Sequence, residues 1–191
     1  MNGRVVACDD GIVRKLGWGS GFTLVSCILW SLEGGGPVTA ALAPVRVDGL
    51  DATDVIAGLV EVLQAPRSPL IVDSVTIAGF NVVNPYGIVE SVGSPVVYVY
   101  KYMPSLERLL GGLEKARLPL TKVRARVIEA VVSSVKPAET RRGIVYLGVV
   151  GMQFDVAVKL VEKLQVYSRT PEPLRIAHYT ASEASLLIYP S

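Results

Sequence analysis

An α/β fold built on one mixed sheet is predicted for this chain, and two patterns carry the prediction. From about residue 50 onward, apolar runs of strand length alternate with stretches of helical spacing. Before that point three strand-like runs follow one another across short links, as in an antiparallel meander. A third observation concerns chemistry. The apolar strands Arg4–Cys8 and Pro69–Val72 each run straight into aspartate, Asp9-Asp10-Gly11 after the first and Asp73 after the second. Strands this apolar are buried on both faces, and their carboxyl edge is where open α/β sheets hold ligands.

The 191 residues suit a single domain spanning 1–191, because halving the chain would leave two marginal cores. Half the residues are hydrophobic and 19% are charged, which excludes a disordered chain. A net charge of +2 neither requires nor repels a nucleic acid. The basic residues cluster locally, at Arg14-Lys15, Lys122/Arg124/Arg126 and Arg141-Arg142. Cys8 and Cys27, the two cysteines, read as small buried hydrophobes in a reducing compartment, with a disulfide across the first two strands as the alternative. The apolar stretches Phe22–Leu32 and Ile144–Met152 are too short for a bilayer, and Arg4, Asp9 and Asp10 break up any secretory leader. The expectation is a soluble cytoplasmic protein with no membrane partner.

In order, Arg4–Asp9 reads as a strand, Gly11–Gly21 as a glycine-rich turn and Phe22–Trp30 as a second strand. After the turn Glu33–Pro37 comes a third, Val38–Val47, bent or split near Pro44. Asp51–Gln64 has helical spacing, a capping sequence at Asp51–Asp54 and Pro66 beyond its end. Pro69–Asp73 is the fourth strand. Asn81–Val92 is a weak helix interrupted by Pro85, Pro95–Tyr100 a strand, and Ser105–Arg117 a helix with leucines on one side. Thr121–Val135 fits helix or strand. Gly143–Val150 is a strand, and helices follow near Phe154–Val166 and Leu174–Leu187. A three-strand meander followed by alternating helices and parallel strands is the order of the ribonuclease H-like fold. Right-handed crossovers then make the first and fourth strands neighbours, bringing Asp9 and Asp73 together with the loop Asp48–Asp51.

Carboxylates gathered at one edge suit a hard divalent cation, and a two-metal nuclease needs several of them around ions roughly 3.5–4 Å apart. Asp9, Asp51 and Asp73 supply such a set. Each has a plainer reading: Asp9 and Asp73 as turn formers, and Asp51 as a helix N-cap with Asp48 and Asp54 competing for its ligand position. His178, the single histidine, sits on an amphipathic stretch and fits a packing role as well as a catalytic one. Gly17-Trp18-Gly19-Ser20-Gly21 lacks the Gly-Lys-Ser/Thr ending of a phosphate loop and reads as a hairpin connection, with Trp18 available to stack on a base. Asn81 and Asn84 lie near the acidic edge. No Gly-x-Ser-x-Gly elbow occurs, which disfavours a serine hydrolase.

The runs Ala7–Gly11, Val47–Asp54 and Asp73–Val83 together resemble the signatures of the archaeal endonuclease dU family, similar in fold to endonuclease V. The resemblance spans most of the chain and is strongest before residue 105. It implies a magnesium- or manganese-dependent endonuclease that acts on DNA with deaminated bases, single-stranded or lesion-containing, with uracil as the implied target. Carried over by position, Asp9, Asp51 and Asp73 match the metal-binding carboxylates, with Asp in place of Glu at the middle position. Lys101 falls near an active-site lysine, and His178 near a late histidine. The Pro-Tyr-containing wedge of endonuclease V has no clear counterpart. A non-catalytic nucleic-acid-binding scaffold and a metal-dependent RNA or nucleotide phosphoesterase are the alternatives.

Overall fold

The computed structural model describes residues 3–13 and 21–188. Strand β1 (Arg4–Asp10) pairs antiparallel with β2 (Phe22–Ser31), and β2 pairs antiparallel with β3 (Gly36–Arg46). Helix α1 (Ala52–Val62) leads to β4 (Leu70–Val72), which joins the free edge of β1 in parallel. A small hairpin of β5 (Thr76–Ile77) and β6 (Asn81–Val82) precedes α2 (Pro85–Val92). Strand β7 (Val96–Tyr100) then lies parallel to β4. Helices α3 (Leu106–Ala116) and α4 (Thr121–Ser133) are followed by β8 (Lys136–Thr140) and β9 (Gly143–Val150). Strand β9 pairs antiparallel with both β7 and β8, and α5 (Phe154–Leu164) and α6 (Glu172–Ile188) complete the chain. The sheet order is β3-β2-β1-β4-β7-β9-β8, so the meander and the β1–β4 adjacency are as the sequence predicts.

Alternation along the strands sorts the core into two layers. Val6, Cys8, Leu70, Val72 and Tyr98 pack with residues of α1 to α4. Val5, Ala7, Ile71, Val97 and Val99 pack on the other face with Leu160, Leu164, Leu174 and Ala177 of α5 and α6. Covering both faces explains why β1 and β4 read as unbroken apolar runs.

Several expectations need correction. Pro44 does not split β3, because β3 is the outermost strand, where a missing N–H is tolerated; the register shift lies between Leu29 and Trp30 of β2. Pro85 opens α2 rather than interrupting it, occupying the first turn behind an Asn84 cap that accepts the Tyr86 N–H. Thr121–Ser133 is helical. Its buried stripe of Arg124, Ile128, Val131 and Val132 begins with a cation, which hid the periodicity. Strand β8 escaped notice because Lys136–Thr140 is short and contains Pro137. Cys8 and Cys27 face each other in the β1–β2 register, Cα atoms 4.1 Å apart, and are joined by a disulfide. Reading the two strands separately could not reveal that register. Trp18, the turn 14–20 and the Arg14-Lys15 pair lie outside the described residues.

Candidate active site

The parallel register places Ala7 beside Ile71 and Cys8 beside Val72. One step further along both strands stand Asp9 and Asp73. In the next pair Val72 lies beside Tyr98, and the chain leaves β7 at Lys101. Asp9, Asp73 and Lys101 continue the alternation of Ala7, Ile71 and Val99, residues that face α5 and α6. All three line one cleft of about 720 Å³. Its far wall is the segment Ser168–Thr170 and the first turns of α6, which contribute Arg169, Arg175 and His178.

The acidic side of the cleft is electrostatically strained. Asp9 is 6% exposed, its Oδ1 accepts the Asp10 N–H at 2.8 Å, and its Oδ2 lies 3.2 Å from His178 Nδ1. Burial, and then the charges of Asp73 and Asp10, push the Asp9 carboxyl up to about 9. Burial and the charge of Asp10 raise Asp73 to about 6, against the lowering pull of its hydrogen bond with Asp9 and of Lys101. The basic side is supported by stacking and pairing. Arg169 lies over the Tyr102 ring at 5.3 Å and Arg175 over Tyr179 at 5.7 Å. Arg175 also donates two hydrogen bonds to Glu172, at 3.0 and 3.1 Å.

The structure does not bring Asp51 to the cleft. Its carboxylate accepts from Asn81 Nδ2 at 2.6 Å and faces the Arg46 N–H at 3.4 Å, and its side chain makes no cap bond to α1. Asn81, fully buried, returns its Oδ1 to the Ala52 N–H at 3.0 Å, supplying the cap expected from Asp51. Asp48 accepts the Phe80 N–H at 2.8 Å. A Cβ at Gly79, whose φ is +85°, would lie 2.3 Å from Asp48 Oδ1. Arg124, 2% exposed, donates to Asp48 O, Gly49 O, Phe80 O and Pro119 O. Thus Asp48–Asp51 and Gly79–Asn81 form one hydrogen-bonded lock, in which Asp48 Oδ2 alone is buried without a partner among the described residues, and Asp54 is exposed on α1. Asn84 caps α2, and Tyr98 spends its hydroxyl on Val83 O at 2.7 Å.

Sequence reasoning missed Arg169 and Arg175. The available signal was the density of polar and proline residues in Ser168–Pro173 before an amphipathic helix. It also ended the first strand at Asp9, whereas Asp10 extends β1 and its Oδ2 accepts the Ala78 N–H. Burial raises the Asp10 carboxyl, and the Ala78 hydrogen bond opposes the rise.

A buried and a half-buried carboxylate side by side fit a hard divalent cation, which would relieve both their desolvation and their mutual repulsion. Among the described residues no group of three or more His, Cys, Asp and Glu is arranged to enclose an ion. Asp9 and Asp73 could therefore supply one or two ligands to a divalent ion rather than a closed protein cage.

The architecture is the endonuclease V-like fold. Bacillus subtilis endonuclease V superposes with a TM-score of 0.64 at 13% identity, over 98% of this chain and 82% of that one. Ciona intestinalis endonuclease V, crystallised with a 23mer DNA containing an inosine followed by a ribo-adenosine, gives 0.61 at 12% identity, over 97% and 86%. An Archaeoglobus fulgidus crystal structure gives 0.78 at 24% identity, over 95% and 97%. The family model for Endonuclease dU matches residues 2–185, and the chain belongs to that family. A UPF0215 protein of Aeropyrum pernix is 53% identical over 94% of this chain and 97% of its own length. One from Methanopyrus kandleri is 33% identical over 72% and 71%. Family and fold together support a nuclease.

Proposed function

We propose that this protein is a divalent-metal-dependent endonuclease that hydrolyses a phosphodiester in DNA containing deaminated bases, with uracil as the base its family name indicates. The observation that carries the reading is the meeting of Asp9, Asp73, Lys101 and His178 in one cleft. Asp9 and Asp73 would hold magnesium or manganese, which when bound supplies Lewis-acid polarisation of the phosphate and activation of water. Lys101 and Arg169 offset the negative charge of the phosphate as it builds toward the transition state. His178, half exposed and hydrogen-bond-close to Asp9, is placed to hold or move a proton at Nδ1. A complex of a structural relative with inosine-containing DNA supports a nucleic-acid substrate here.

The test compares cleavage of matched oligonucleotides with and without a single uracil, in Mg²⁺, in Mn²⁺ and in EDTA. Metal-dependent nicking confined to the uracil strand is expected. Undiminished nicking by Asp9→Ala and Asp73→Ala proteins would remove the mechanism. Salt-sensitive binding with no cleavage in any metal would instead favour a scaffold role.

A further inference from the structure

A second groove, of about 580 Å³, lies beside the cleft and is lined by Arg141, Arg142, Lys159, Lys163, Glu162 and Gln165. Four cations face one carboxylate. That carboxylate, Glu162, is committed to Arg141, accepting its backbone N–H at 2.9 Å and lying 3.7 Å from its Nε. Lys159 and Lys163 are one turn apart on α5, both exposed, and neither has an acidic partner among the described residues. Unpaired cations in a row attract a row of phosphates.

The walls of the groove and the cleft are tied together by hydrogen bonds. Gln165 lines the groove, and its Nε2 donates to the backbone carbonyl of Arg169 in the cleft wall at 2.6 Å. The Arg169 side chain lies in van der Waals range of the β8–β9 turn, its Cδ 3.4 Å from where a Cβ at Gly143 would stand. Its Nη1 reaches Ile144 O and Lys101 O, both at 3.3 Å. Arg169 therefore spans from the lysine at the end of β7 to the turn that carries Arg141 and Arg142. We propose that the sugar–phosphate backbone of the substrate leaves the cleft over Arg169 and lies in this groove, where Lys159, Lys163 and Arg142 hold phosphates flanking the cut site. The proposal deepens the nuclease reading and rests on it.

The test is the salt dependence of binding, measured in EDTA so that no turnover occurs, with a fluorescent single strand of about 16 nucleotides. Each phosphate contact contributes about 0.7 to the slope of log affinity against log salt for a single strand. Lys159→Ala/Lys163→Ala protein should therefore lose about 1.4 from the slope. The control is Lys122→Ala/Arg126→Ala, which removes the same charge from exposed positions of α4, a helix packed on the opposite face of the sheet. Its slope should match wild type. Equal slopes for the two double variants, or a groove variant equal to wild type, would overturn the groove. The nuclease reading fails separately: a wild type that never cleaves in metal sinks that reading even where the groove slope holds. A wild type that cleaves while both variants share one slope sinks the groove alone.

Discussion

Asp9 and Asp10 are consecutive on β1 and take their partners from different elements: Asp9 Oδ2 lies against His178 of α6, whereas Asp10 Oδ2 accepts the N–H of Ala78 beside the β5–β6 hairpin. One carboxylate faces the cleft and the other fastens the sheet edge to the lock formed by Asp48, Gly79 and Asn81. Substitution should separate these roles. Asp9→Asn should reduce metal-dependent cleavage by more than the roughly 10–100-fold that losing an outer partner of a metal ligand costs, with folding stability retained. Asp10→Ala orphans a partly buried N–H and should destabilise by about 1–3 kcal/mol. Urea titration alongside a cleavage assay checks both.

Stability without metal should fall as pH rises. Asp9 and Asp73 start from an ordinary value of 3.8 and are raised in the fold to about 9 and about 6. Between those limits the folded state binds more protons than the unfolded state, so deprotonation favours unfolding. Both groups act between about pH 4 and 6, and Asp9 alone from there to about 9. Urea midpoints in EDTA should drop across this window, and Asp9→Asn should flatten its upper part. At pH 8, Mg²⁺ at a hundred times its dissociation constant should restore about 2.7 kcal/mol. A midpoint indifferent to both pH and metal would show that these carboxylates carry no such strain.

The convergence of Asp9 and Asp73 was legible because β1 and β4 are apolar on both faces and end at aspartate, whereas Lys101 came only from the family resemblance. The lock was not legible. Asp51 precedes a helix in a motif rich in carboxylates, and nothing local says that Asn81, thirty positions later, will take over the cap and claim the carboxylate. Arg124 was misread for a similar reason: a guanidinium in a core stripe looks polar until four backbone carbonyls close around it. The β1–β2 register that joins Cys8 to Cys27 is likewise a property of pairing, invisible in either strand alone.

Asp51→Asn therefore discriminates between a ligand and a structural brace. The amide keeps the shape but weakens a charge-assisted hydrogen bond from Asn81. A stability loss of about 1–2 kcal/mol with cleavage within a few fold of wild type is expected. Loss of cleavage comparable to Asp9→Asn in a folded protein would restore Asp51 as a metal ligand.

Arg124→Lys should be far more damaging than its chemistry suggests. A single ammonium cannot satisfy acceptors spread over Asp48, Gly49, Phe80 and Pro119 as the guanidinium fork does. Each abandoned buried carbonyl costs about 1 kcal/mol or more, so a loss of about 3 kcal/mol is expected by urea unfolding. A change below about 0.5 kcal/mol, the range of ordinary surface substitutions, would mean the lock holds without its cation.

Gly11→Ala tests how α6 is seated. A Cβ at Gly11 would lie 2.4 Å from both Ala181 O and Ser185 Oγ, and the carbonyl belongs to the helix backbone, so α6 itself must shift. Overpacking of this kind costs about 1–3 kcal/mol. His178 sits one turn before Ala181 on the same helix, so a shifted α6 should draw Nδ1 away from Asp9. Cleavage should then fall in Gly11→Ala, and the double variant Gly11→Ala/His178→Ala should be little worse than His178→Ala alone, because both act through one contact. Single-turnover rates at saturating metal supply the cycle. Fully additive losses would mean that Gly11 acts through some route other than the placement of His178.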